Sequence, residues 1–164
     1  MRAVDQSARD TAIDPTKSFC VSAPAGSGKT ELLTQRLLAL LARVERPEQV
    51  LAITFTRKAA SEMSMRLLEK LEQARMGTTV TAEHERHTRQ LAKALLAHAE
   101  QRQWRLDQTT LNIRTIDSLC HELTRQMPIL SGLGGLVEAV DNAQPLYEEA
   151  VREFLSQAGE GDVG

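Results

Sequence analysis

Ser18-Phe19-Cys20-Val21-Ser22-Ala23-Pro24-Ala25-Gly26-Ser27-Gly28-Lys29-Thr30-Glu31 is the stretch that decides the fold of this 164-residue chain. Phe19, Cys20 and Val21 make a short apolar run of the kind a buried strand needs, over Ser18–Ser22. The small residues from Ala23 to Gly28 follow, and an apolar-rich helix is expected from about Lys29 to Arg43. Such a loop lets successive backbone N–H groups turn inward on one anion, with Gly26 and Gly28 supplying the unusual dihedrals. The helix that starts near Lys29 aims its positive dipole end at the same point. Strand, glycine loop and helix in that order imply a phosphate site.

Ala23-Pro24-Ala25-Gly26-Ser27-Gly28-Lys29-Thr30 matches the Walker A pattern, with Ala23 where the first glycine usually stands. ATP or a similar nucleotide with Mg²⁺ is therefore the expected cofactor. Ala23 through Glu31 would line it, Lys29 reaching the β- and γ-phosphates and Thr30 placing its hydroxyl on Mg²⁺. These two are the candidate catalytic residues, and Thr30 is the candidate metal ligand. A glycine-rich turn with a solvated lysine would be the bland reading, but the flanking strand and helix supply the context the motif requires.

Outward from the loop, Leu33, Leu37, Leu40, Leu41 and Val44 share one helix face and Leu32 and Leu38 lie elsewhere on it, as in a helix sandwiched between layers. Pro47 closes that unit, and Val50–Thr54 reads as a second, continuously apolar buried strand. The apolar spacing predicts helices over Ala59–Ala74, Glu83–Ala99, Ile116–Met127 and Gln144–Gln157, with a weaker strand at Asn112–Thr115. Breaks are expected at Gly77-Thr78-Thr79, at Pro128 and in the connector Ser131–Gly135. Strands alternating with helices imply βαβ units and a parallel sheet.

Composition is that of a soluble globular domain, 41% hydrophobic and 26% charged. A net charge of -2 argues against a chain that wraps nucleic acid with general basicity, but not against a local groove. Cys20 and Cys120 lack metal spacing and are expected as buried, reduced thiols, fitting a cytoplasmic protein. The polar N-terminus is no signal peptide. The apolar run Leu37–Leu41, flanked by Arg36 and Arg43, is far short of a membrane span.

Beyond the loop, Val50-Leu51-Ala52-Ile53-Thr54-Phe55-Thr56-Arg57-Lys58 and the residues after it resemble motif Ia of the UvrD/Rep-like superfamily 1 helicases. The resemblance implies that Thr54, Phe55, Thr56, Arg57 and Lys58 contact single-stranded DNA. The chemistry suits that role, since an aromatic stacks on bases while hydroxyls, cations and a helix N-terminus hold phosphate. Read locally, Phe55 could equally be core, and Arg57 and Lys58 a solvated helix start. Ile113-Arg114-Thr115-Ile116-Asp117-Ser118 resembles motif Ib of the same family, giving Thr115 and Ser118 as further DNA contacts. Asp117 stands where that motif carries histidine; it would repel phosphate and could instead cap the following helix. Gln6, 23 residues before Lys29, resembles the glutamine that reads adenine in these helicases. His121 lacks a partner at helical spacing and reads as structural.

The family resemblance implies an α/β P-loop NTPase (RecA-like) domain, a parallel sheet flanked by helices. Residues 1–127 would be the first part of RecA-like domain 1A, with a helical insertion at about 75–107. Residues 128–164 would be a connector and the truncated start of a helical subdomain. The insertion, the PAGSGKTELL form of the loop and TIDSLC lean towards the RecB/AddA-like helicase–nuclease branch. Such a parent hydrolyses ATP to move 3′→5′ on single-stranded DNA in repair or recombination. It also uses a second RecA-like domain, and would pair with an AddB- or RecC-like subunit. No Asp-Glu pair follows an apolar strand anywhere in this sequence, the nearest imitation being Leu136–Asp141, and no arginine finger is evident. Hydrolysis by this chain alone is thus not expected. A non-catalytic nucleotide- or DNA-binding remnant stays open as the alternative, and a small P-loop kinase is disfavoured by the absence of an Arg-rich lid. An incomplete sheet would also leave an exposed edge and apolar faces.

Overall fold

The computed structural model describes residues 5–77, 82–127 and 142–159. The expected breaks at Thr78-Thr79 and Pro128, the connector Ser131–Gly135, the stretch Leu136–Asp141 and the last five residues lie outside them. The chain divides into two compact units, Met1–Cys120 and His121–Gly164.

In the first unit the order is α1 (Gln6–Ile13), α2 (Lys29–Leu41), β1 (Leu51–Thr54), α3 (Arg57–Met76), α4 (Glu83–Gln101) and β2 (Asn112–Thr115), then the start of α5 (Ile116–Gln126). It is an α/β fold whose described sheet has two parallel strands, with Leu51 opposite Asn112 and Thr54 opposite Thr115. Parallel neighbours need a crossover, and α3 and α4 supply it. The core forms where α2, α3 and α4 meet: Leu37, Leu38, Leu41, Leu67, Leu71, Ala74, Ala92 and Leu95 are buried together, with Val50 and Leu111 closing the strand side. A smaller cluster of Ala12, Ile13, Leu32 and Ala39 seats α1 on α2.

Local chemistry sets the helix ends. Thr56 begins α3 by accepting the Ala59 N–H on its hydroxyl at 3.1 Å. Gly77 ends that helix in the left-handed region at φ 73°, where an L side chain is strained. His98 Nε2 lies 2.8 Å from the Val44 carbonyl, which can only accept, so Nε2 carries the proton. That bond ties the end of α4 to the segment after α2, and the same ring meets Trp104 edge-on at 5.1 Å.

Three sequence expectations are corrected here. Ser18–Ser22 makes no described ladder; Phe19 leans on the Arg36 guanidinium at 5.2 Å instead of entering a sheet. β1 is not buried on both faces, for Leu51 is 42% and Ile53 49% exposed; among the described elements α3 and β2 are its main cover. Cys20 and Cys120 are exposed free thiols rather than buried ones, since neither the 18–22 segment nor α5 packs into a core. Between motif-like segments, α3 runs on to Met76, past the Ala74 end expected for it, and α4 covers Glu83–Gln101.

In the second unit, α5 runs out at Gln126 and α6 covers Gln144–Gly159. Leu123 and Met127 are exposed, as are Leu146, Tyr147, Val151, Phe154 and Leu155 of α6. The amphipathic spacing read from the sequence is present, but its apolar face is bare.

No helix among the described residues is long and apolar enough to cross a membrane.

Candidate functional site

The sequence from Ala23 to Gly28 folds as a tight loop ahead of α2. Gly26 has φ 76° and Gly28 φ 83°, both in the region that glycine enters without cost. Gly28 is also the N-cap of α2, so the first turn of Lys29, Thr30 and Glu31 points unpaired N–H groups towards the loop. The Lys29 ammonium reaches back along the loop, donating to the carbonyls of Ala23 at 2.5 Å and Pro24 at 2.7 Å. Thr30 is exposed beside it. Ser27 Oγ is buried without a hydrogen-bond partner.

α1 approaches this loop and carries Arg9. Its Nη2 donates to the Ser27 carbonyl at 2.7 Å and to Asp5 Oδ2 at 2.8 Å. The hydrogen bond from Arg9 holds the Asp5 carboxyl below its ordinary range. A cavity of about 470 Å³ opens here, lined by Arg9, Phe19, Ser22, Ala23, Ser27 and Lys29 among others. The orphaned Ser27 hydroxyl, the left-handed glycines and two cations donating to loop carbonyls form a cradle that fits a polyphosphate.

Gln6 is placed elsewhere. Its amide donates to Asp10 Oδ1 at 2.8 Å, and it lines a larger cavity of about 800 Å³ with Asp10, Arg43, His84 and Gln90. The glycine loop does not border that cavity.

Glu31 is held by α4. Thr88 of α4, almost wholly buried, donates its hydroxyl to Glu31 Oε1 at 2.6 Å and accepts from Gln35 Nε2 at 2.8 Å. Helix α4 thereby grips the first two turns of α2.

At the carboxyl ends of β1 and β2 two turns stand side by side, since Thr54 and Thr115 are register partners. Each turn leads into a helix with a threonine cap. Thr56 caps α3, and Thr115 Oγ1 accepts the Ser118 N–H at 3.2 Å to open α5. Thr115, not Asp117, is thus the capping residue, which corrects the expectation; Asp117 sits exposed in the first turn. Thr54 donates its hydroxyl to the Thr56 carbonyl at 3.0 Å, stiffening the first turn. Phe55 is 90% exposed, which removes its reading as core. Arg57, Lys58 and Ser118 are exposed, while Thr115 is buried. An outward aromatic, two capped helix starts and two cations are the parts a nucleic-acid backbone and its bases would meet.

The sequence pattern of the UvrD/REP helicase N-terminal domain matches residues 4–160. The chain belongs to that family. Its relatives include an ATP-dependent helicase/nuclease subunit from Desulfitobacterium hafniense (strain DSM 10664 / DCB-2), 34% identical over 94% of this chain and 10% of that protein. The exonuclease/helicase subunit RexA of Lactococcus lactis subsp. cremoris (strain MG1363) is 31% identical over 85% of the chain and 11% of that protein. The ATP-dependent DNA helicase UvrD2 of Mycobacterium bovis is 41% identical over 48% of the chain and 11% of its own length. This UvrD/REP N-terminal domain thus spans about a tenth of the length of those relatives. No solved structure matches it.

Three features of the domain escaped the sequence. Arg9 lies in a polar segment whose only signal is the i,i+4 spacing from Asp5. Thr88 sits mid-helix with nothing to mark it as buried. Arg36 ties the segment after α1 to α2 by donating to the carbonyls of Ala12, Asp14 and Lys17.

Proposed function

We propose that this chain is the nucleotide-binding, single-stranded-DNA-contacting N-terminal part of an ATP-dependent 3′→5′ DNA helicase acting in repair or recombination. The observation that carries the reading is the juxtaposition of the Thr54 and Thr115 turns in register, with Phe55 turned outward, in the unit that also holds the glycine loop. Ligands of parallel sheets gather outside the carboxyl ends of strands, which supports the placement.

In this P-loop reading the N–H groups of the loop and first turn of α2 hold the phosphates, and Lys29 exchanges its loop carbonyls for phosphate oxygens. Thr30 would hold Mg²⁺, and Gln6 would read adenine after leaving Asp10. Bound Mg-ATP supplies the anhydride whose hydrolysis powers the parent enzyme. The chain's own part is to bind, to orient and to contact the strand. Thr54, Thr56, Arg57, Lys58, Thr115 and Ser118 grip the backbone, directly or through the helix starts they cap, while Phe55 stacks on a base. Residues 1–127 are assigned to RecA-like domain 1A and 128–164 to the start of the next subdomain. Hydrolysis is assigned to the cleft between this domain, with Lys29 and Thr30, and a second RecA-like domain, and an AddB- or RecC-like subunit is the expected partner in the cytoplasm.

Fluorescence anisotropy of a labelled single-stranded oligonucleotide at low salt tests this. Weak binding that falls steeply with salt is expected. Phe55→Ala should weaken it about tenfold, the cost of one lost stack. No binding at low salt, or a Phe55→Ala chain that binds as well, contradicts the DNA half of the reading.

A further inference from the structure

Arg9 presents an unmet need at the mouth of the glycine loop. Its side chain is only 24% exposed, and its Nε is buried without any hydrogen-bond partner. A buried charged donor left without an acceptor is costly, so an orphan of this kind points to a group that is to come. Nη1 lies 3.3 Å from where a Cβ on Gly28 would stand, so that glycine provides room for the guanidinium as well as the left-handed turn. Ser27, whose Oγ is another orphan, lines the same cavity as Arg9 and Lys29. On the loop side, both cations donate to neutral carbonyls. A charged phosphate oxygen outcompetes such an acceptor, because charge-assisted hydrogen bonds are about twice as strong.

We propose that Arg9 is a second phosphate-binding cation of the glycine-loop site, resting on the Ser27 carbonyl until a nucleotide's polyphosphate replaces that acceptor. The proposal rests on the nucleotide reading of the loop given above. A guanidinium offers a planar fork that grips two phosphate oxygens, which the Lys29 ammonium does not. Asp5 holds Arg9 by an i,i+4 ion pair and competes with the incoming phosphate.

Calorimetric titration of Mg-ADP into the whole chain and into Arg9→Gln, Arg9→Lys, Asp5→Asn and Lys29→Ala tests this. Arg9→Gln should bind about tenfold more weakly, as expected for one lost charge-assisted bond, and Arg9→Lys should fall between it and the unmutated chain. Asp5→Asn should bind roughly twofold more tightly, the weight of one exposed i,i+4 pair. Asp5 makes no side-chain cap bond to α1, so its replacement removes only the competing carboxylate. If Arg9 merely braced the loop, Asp5→Asn would weaken binding as Arg9→Gln does, and that result overturns the proposal. So does an Arg9→Gln chain that binds normally. Should Arg9→Gln fail to melt cooperatively, Arg9→Lys and Asp5→Asn decide by the same signs. An unmutated chain that ignores Mg-ADP as Lys29→Ala does overturns the nucleotide reading itself, and this inference with it.

Discussion

The core helices and the strand β1 of the first unit draw on the same aliphatic residues and end in opposite surroundings. Leu38 of α2 and Leu95 of α4 are wholly buried, while Leu51 and Ile53 of β1 are about half exposed. Three helices crossing one another cover each other's faces within a few tens of residues of sequence. A strand relies on layers above and below and on neighbours at both edges, and β1 has one described neighbour. Apolar content therefore states what must be covered, not what covers it. Phe55 and Ser118, where contacts are proposed, are exposed as well.

Core truncation breaks this comparison most sharply. Leu38→Ala or Leu95→Ala should cost about 2–5 kcal/mol by urea unfolding, whereas Ile53→Ala should cost under about 1 kcal/mol. Equal losses at Leu38 and Ile53 would mean that β1 is covered in solution. Next in size is the link from α4 to the loop helix α2. Thr88→Val keeps the shape but takes the donor from Glu31 and leaves Gln35 only the longer bond to the His84 carbonyl, so a loss of about 1–3 kcal/mol is expected from the same measurement. A neutral result would place Glu31 in solvent. On the strand side, Thr56→Ala removes one cap and should cost about 1 kcal/mol, with amide exchange rising in the first turn of α3 alone.

Acid should act last and least. Hydrogen bonds from the Thr109 hydroxyl and from the Thr109 and Thr110 N–H groups hold the Asp107 carboxyl below its ordinary range. Asp14 is lowered in the same way by Thr16. A depressed carboxylate stabilises the fold above its unfolded value of about 3.9, and the contribution is lost as pH falls through the folded value. The unfolding midpoint should therefore drop from about pH 5 towards about pH 3, less so in Asp107→Asn. An identical pH profile in that variant would show that the turn after α4 is not formed in solution.

Much of the molecule was legible because its signals are local. Gly77 and the apolar spacing of α2, α3 and α5 announce these helices and one of their ends, and the strand Asn112–Thr115 matches its expectation residue for residue. The strand expected over Ser18–Ser22 was not borne out because an apolar run specifies strand propensity, while a ladder depends on a partner far away in sequence. Asp117 misled because aspartate caps well in general; the chain instead places Thr115 one residue before the helix, with its hydroxyl already turned inward. Arg9 and Thr88 act across 18 and 57 residues, respectively, and no spacing rule reaches that far.

The central claim is that the loop from Ala23 to Thr30 is a working phosphate site in this chain. A thermal melt with and without Mg-ADP, run on the unmutated chain and on Lys29→Ala, tests it most directly. The account expects a cooperative transition that Mg-ADP raises only when Lys29 is present, by about 2.7 kcal/mol at roughly a hundredfold excess over Kd. A cooperative melt that Mg-ADP leaves unmoved, or moves equally in Lys29→Ala, would contradict it.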